Sequence, residues 1–260
     1  MGSTKQCFED KEENCREAWI RARLSDPDLE EDSDEWQELE EEHDNYKNFM
    51  EDMAREEYEE QQWLENNPHT DIYDSSISLL EGIIEEGKVH TSETFYKMQI
   101  AYCITIMESC LGDMIKSIVL PNSIYRDNAI NNVTELNDVK IKLSDALKGN
   151  ETLDKAVQNY LSSILYHDIP KIYEVYKAIL DYKAISKPVL KDIIKLTKLR
   201  HNIVHRNGKT REGKEIPFEY KDVLDAFETT KIFLTEMKNM ISAAIKYHEE
   251  KQMDKDLENN

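Results

Sequence analysis

Within the run Leu199-Arg200-His201-Asn202-Ile203-Val204-His205-Arg206, a permanent cation and two imidazoles fall in six consecutive positions, 200–205. These residue types suit cleavage of RNA without a metal. Such cleavage must deprotonate a 2′-hydroxyl and stabilise a crowded, anionic phosphorane. Histidine suits the first task because its pKa lies near neutrality. Arginine suits the second through its charged, bidentate fork. Arg200 and His205 are therefore the candidate catalytic pair, with His201 beside them and Asn202 placed to orient substrate or side chains.

The flank is cationic. From Lys187 to Lys214 there are nine Lys or Arg against Asp192 and Glu212, a net +7. Lys198, Arg206, Lys209, Arg211 and Lys214 are the candidate contacts to a phosphodiester backbone. A solvated lysine face is the alternative reading of the same residues.

A helix over 188–206 places Val189, Ile193, Leu196 and Ile203 on one face. Arg200 falls within about 40° of Leu196, inside that apolar sector. An arginine there needs a partner, because burying an unpaired charge is unfavourable. Leu190, Ile194, His201 and His205 form an adjacent stripe, so one face can pack in a bundle while the other meets a second molecule. Arg200 and His205 differ by roughly 140° around the axis. A site built from two copies across a dimer axis relaxes that mismatch.

Zinc is the competing chemistry, since His201 and His205 are spaced i,i+4. No Glu follows the first histidine, and only His167 or Glu108 offers itself as a third ligand. A structural role for both histidines is a further alternative. The expectation is a site with no metal and no cofactor.

The elements that must position these residues read as helices. Only 7 Gly and 6 Pro occur in 260 residues. Apolar residues recur at helical spacing through most of the chain. Residues 26–67 read as one acidic helix with a thin stripe of Trp36, Leu39, Tyr46, Met50, Met53 and Leu64. Asn66-Asn67-Pro68 marks a boundary. A short helix is predicted over Tyr73–Glu86, with Gly87 at its C-cap. A long one follows from near Ser92 to about Leu120, carrying Glu108 beside its core stripe. Residues 121–151 carry loop signals. Helices are then expected over 152–166, 170–182, 188–206 (with Ser186 as N-cap) and 220–248. Residues 207–219 read as an exposed loop and 251–260 as a frayed polar tail. The expected organisation is an acidic extension at 1–67, a linker and short helix at 68–91, and a helical domain at 92–250.

The formal charge of −21 is uneven. Residues 1–67 hold 24 acidic and 7 basic side chains, and the remainder 30 and 26. An overall charge of this sign argues against a nucleic-acid partner, but only for the acidic quarter. That quarter reads as a solvated helix docked on its own domain, with a docking arm for a regulatory protein partner, a competitor of RNA for the basic segment, and simple disorder as the alternatives. Cys7, Cys15, Cys103 and Cys110 show no disulfide or zinc spacing. No signal peptide or membrane span is read, and a reducing cytoplasm is the expected setting.

Arg200-His201-Asn202-Ile203-Val204-His205 resembles the Arg-polar-x3-His motif of HEPN domains. Its continuation Arg206-Asn207-Gly208-Lys209-Thr210, then Gly213, is similar to the branch related to ribonuclease L and PSP-type HEPN proteins. The phrase Met107-Glu108-Ser109-Cys110-Leu111 is similar to that branch's early acidic helix. The resemblance covers about 90–250. It implies an all-α bundle that dimerises through the motif helices. It further implies a metal-independent endoribonuclease leaving a 2′,3′-cyclic phosphate, with Arg200 and His205 catalytic. His201 falls at the polar position and Glu108 supports the site. Members of the family act in toxin–antitoxin, abortive-infection and antiviral systems, and others are non-catalytic interaction modules.

Overall fold

The computed structural model describes residues 2–26, 28–89, 92–147, 149–182 and 187–258. Ser186, expected to cap the motif helix, lies outside them. The described residues form eleven α-helices and no strand, an all-α architecture. None of these helices is long and apolar enough to cross a membrane. The chain divides into two units, Met1–Trp63 and Leu64–Asn260.

The first unit is a helical hairpin: the single helix expected over 26–67 is present as α2 but starts later, and a further helix precedes it. Helix α1 spans Gly2–Arg21 and α2 spans Asp34–Asn66, its last residues belonging to the second unit. Helix α2 does not begin at residue 26 because the Ser33 hydroxyl accepts the Trp36 N–H at 3.3 Å, capping the helix there. The Ser25 N–H and hydroxyl both donate to the Glu35 carboxylate at 2.7 Å, tying the turn to the new helix. These two bonds hold the Glu35 carboxyl below its ordinary pKa. Ile20 and Trp36 are buried. Lys47–Glu12 and Arg16–Glu40 pair at 3.0 and 2.7 Å. Of the expected stripe, Trp36 and Leu64 are buried, but Tyr46, Met50 and Met53 are exposed.

In the second unit, α3 (His69–Gly87), α4 (Glu93–Val119) and α11 (Tyr220–Glu258) pack together as the core. Helix α4 is the central element. Ile100, Cys103, Ile104, Met107, Cys110, Leu111, Met114 and Ile115 are buried along it. Ser92 caps it by accepting the Phe95 N–H at 3.2 Å. Burial drives the Cys103 and Cys110 thiols up to about 12, so they are unreactive. Buried polar groups fix the register of these helices. Gln99 Nε2 donates to the Ile83 carbonyl at 2.8 Å. His69 and Ser242 are bonded at 2.8 Å, and Tyr73 and Thr235 at 2.7 Å.

Short helices α5 (Ser123–Asn132), α6 (Thr134–Asn137) and α7 (Leu143–Ala146) fill 121–151, where the sequence shows loop signals at Pro121-Asn122, Asn131-Asn132 and Gly149-Asn150; these signals fall at or next to helix ends. They are too brief to show a periodic pattern. Helix α8 spans Asn150–Ser163 and α9 spans Ile169–Leu180, with Pro170 in its first turn. Helix α8 ends before residue 166 because Ile164 is extended. That leaves Tyr166 and His167 in the connection. Helix α10 (Lys187–Arg206) packs on α4, α9 and α11. Helix α11 runs to Glu258, so the expected frayed tail is helical over most of its length. No Gly or Pro interrupts residues 221–258, and Lys, Glu, Met and Leu all favour helix.

Candidate active site

Helix α10 is anchored by Ile193 and Leu196, both buried, with Val189, Leu190, Ile194, Leu199 and Ile203 partly covered. Arg200 follows Leu196 by one turn, so its guanidinium is carried toward α4. There its Nη2 lies 3.8 Å from Glu108 Oε1, the two side chains being 21% and 23% exposed. Glu108 sits at the edge of the α4 core stripe, next to the buried Met107. The helical wheel left an arginine in an apolar sector, and Glu108 is its partner. The contact is an ion pair too long for a direct hydrogen bond. Arg200 Nε and Glu108 Oε1 are both buried without a hydrogen-bond partner. The site therefore holds unused donor and acceptor capacity.

A third group joins them. His167, in the α8–α9 connection, places Nδ1 3.4 Å from the second carboxylate oxygen, Glu108 Oε2. Nδ1 is also buried without a hydrogen bond, while the side chain as a whole is 39% exposed. Sequence reading considered His167 only as a remote metal ligand. Its approach to Glu108 depends on where α8 stops, which no local spacing announces. A cavity of about 290 Å³ opens alongside, lined by Glu108, Gly112, Lys116, Leu165, Tyr166 and His167 among others. A cavity of about 710 Å³ lies instead between Val139–Lys142 and α8, and none of the candidate site residues lines it.

His201 and His205 are placed differently. Both are exposed on the solvent side of α10, with ring centroids 4.6 Å apart and planes at 45°. Among the described residues, no third His, Cys, Asp or Glu joins them in a metal-binding group. Within one protomer Arg200 and His205 share no hydrogen bond, ion pair or ring contact. The structure thus brings Arg200, Glu108 and His167 together and groups the two exposed histidines separately.

Loss of water around the ring lowers the His201 pKa, and the nearby His205, Arg206, Arg211 and Arg200 charges lower it further. Proton binding at His201 is therefore weaker in the folded chain than in the unfolded one. Its contribution to stability is full above the unfolded value near 6.5 and is lost as pH falls through the folded value. An NMR titration should find His201 titrating below 6.5, and Arg211→Ala should move it upward. A midpoint at or above 6.5 contradicts the assignment.

The basic loop after α10 is pinned rather than freely exposed. Asn207 and Gly208 have φ of +52° and +78°, turning the chain sharply at the helix end. Gly208 N–H donates to the Asn202 carbonyl at 2.9 Å, and Ile216 N–H donates to the Gly208 carbonyl at 2.9 Å. Gly208 is also a place of close approach, since a Cβ there would lie 2.7 Å from Lys97 Cε and 3.1 Å from the Phe218 ring. Gly208 and Phe218 are buried, so the loop expected at 207–219 is exposed over most of its length but anchored at these two positions. The pinned loop leaves Lys209, Arg211 and Lys214 exposed, and Lys198 is exposed on α10. Lys209 is 3.7 Å from Glu215. Asn202 Oδ1 accepts from Arg206 Nη1 at 2.8 Å, so Asn202 and Arg206 together brace the helix end.

Comparison with protein-family models, with curated proteins and with solved structures finds no match.

Proposed function

We propose that this chain is a metal-independent endoribonuclease of the HEPN type. It works as a homodimer in the cytoplasm, and its site forms where the α10 helices of two copies meet. Arg200 binds and stabilises the scissile phosphate. His205 takes the proton of the 2′-hydroxyl, and His201 stands beside it. Lys198, Arg206, Lys209, Arg211 and Lys214 follow the RNA backbone. The observation that carries this reading is Arg200. It is drawn into an apolar helix face, held by Glu108 at 3.8 Å, and keeps Nε without a partner. A purely structural ion pair would be expected to use its hydrogen bonds more fully. A role as toxin or antiviral effector follows from the family resemblance alone. The acidic hairpin, with Tyr46, Met50 and Met53 exposed, is the proposed contact for a regulatory protein partner.

The test is to incubate the purified protein with total RNA in EDTA and map the new ends. Cleavage should persist and leave 2′,3′-cyclic phosphates, and His205→Ala should lower it about 10²–10⁴-fold. Cleavage only with added metal, or an undiminished variant, refutes the reading. One observation favours a second reading, a non-catalytic module in which α10 binds a protein partner: Arg200 and His205 do not meet within a protomer. That reading requires no cleavage at all.

A further inference from the structure

Glu108 and His167 carry hydrogen-bonding capacity that the fold leaves unused. Both side chains sit at the rim of a cavity, and neither Glu108 Oε1 nor His167 Nδ1 has a hydrogen bond. Three elements converge here: α4 brings Glu108, the α8–α9 connection brings His167, and α10 brings Arg200. One carboxylate is shared, with Oε2 toward the imidazole at 3.4 Å and Oε1 toward the guanidinium at 3.8 Å.

This arrangement has a chemical consequence. A carboxylate oxygen 3.4 Å from Nδ1, short of a formed hydrogen bond, favours a proton on Nδ1 and leaves Nε2 as the nitrogen that exchanges protons. Nδ1 is the buried nitrogen, so the exposed part of this ring includes its Nε2 edge. The cavity beside it provides room for substrate atoms. Among the described residues His205 has no ion-paired carboxylate, and it lies on the solvent side of α10.

We propose that His167 is a second catalytic histidine, the general acid that protonates the leaving group, with Glu108 positioning both His167 and Arg200. The inference rests on the ribonuclease reading. The 2′-oxygen attacks phosphorus as His205 accepts the 2′-hydroxyl proton. The P–O5′ bond breaks with its electron pair going to O5′. His167 Nε2 delivers a proton to O5′, giving a 5′-hydroxyl and a 2′,3′-cyclic phosphate. Arg200 neutralises the non-bridging oxygens throughout. Protons balance between the two imidazoles, and neither an oxidant nor a metal is required.

A short RNA spanning a mapped cut tests this in two forms, one with the natural 5′-oxygen and one with 5′-bridging sulfur. A thiolate leaves without protonation, so loss of a general acid should matter only for oxygen. His167→Ala should slow the oxygen substrate about 10²–10⁴-fold. The same variant should cut the sulfur substrate within a few-fold of wild type. His205→Ala should slow both. Circular dichroism and melting of His167→Gln provide the folding control. Equal slowing on both substrates, or no slowing, overturns His167 as the acid while leaving the nuclease reading intact. A wild-type protein that cuts neither substrate overturns both.

Discussion

Replacing Arg200 by alanine is expected to lower RNA cleavage about 10²–10³-fold, the usual effect of removing one group that stabilises a developing oxyanion. Arg200→Lys should recover little of this, because a compact ammonium cannot present the planar fork. The fold should survive. The Arg200–Glu108 pair is partly solvated at 21% and 23% exposure and loosely spaced at 3.8 Å. Losing it leaves the buried Glu108 Oε1 without its cation and should cost about 1–3 kcal/mol. Because Arg200 and His205 do not touch within a protomer, the proposal makes a sharper claim about mixing. Arg200→Ala and His205→Ala proteins, each inactive, should regain about a quarter of wild-type activity when co-refolded. That fraction assumes half the dimers are mixed and each carries one complete site of two. No recovery would place the working arginine and histidine in the same protomer. Unchanged cleavage by Arg200→Ala alone would remove this residue from the chemistry.

The elements best read from the sequence were those whose determinants are local. Helix α4 was placed from Ser92 to Leu120 and spans Glu93–Val119, because a serine cap and a continuous apolar stripe lie within the segment itself. The sequence pattern places the start of α2 eight residues too early. Its signal is a single hydroxyl, Ser33, set among acidic residues that resemble an unbroken helix. Helices α6 and α7 have four residues each, little more than one turn, so no period can develop. The site divides in the same way. Arg200 stood out because a cation in an apolar sector conflicts with its surroundings. The wheel could not say which carboxylate answers it, and Glu108 was selected by resemblance. Its distance from Arg200 is set by how α10 packs on α4. His167 was least legible, since it is 59 positions from Glu108 and 33 from Arg200 and lies in a connection without periodicity.

Since α4 positions Glu108, its packing should dominate the stability of the second unit, and Leu111→Ala tests this. Leu111 is fully buried, and the buried Tyr176 hydroxyl donates to its backbone carbonyl. Truncation removes three carbons from a fully buried position but leaves that carbonyl and its hydrogen bond in place. The loss is therefore one of burial and packing, about 2–5 kcal/mol. For a unit of this size, such a change should lower Tm by roughly 5–20 °C. Leu147 supplies the contrast. It is 89% exposed, and Leu147→Ala should change stability by about 0.5 kcal/mol or less. Because the chain has two units, hydrogen exchange at the α4 amides is the appropriate local measure alongside Tm. If both leucine variants lose protection equally, α4 is not the core helix. If Leu111→Ala alone does so, and cleavage at a temperature well below its Tm falls far less than for Arg200→Ala, then the helix serves the site by position and the chemistry belongs to the side chains at its edge.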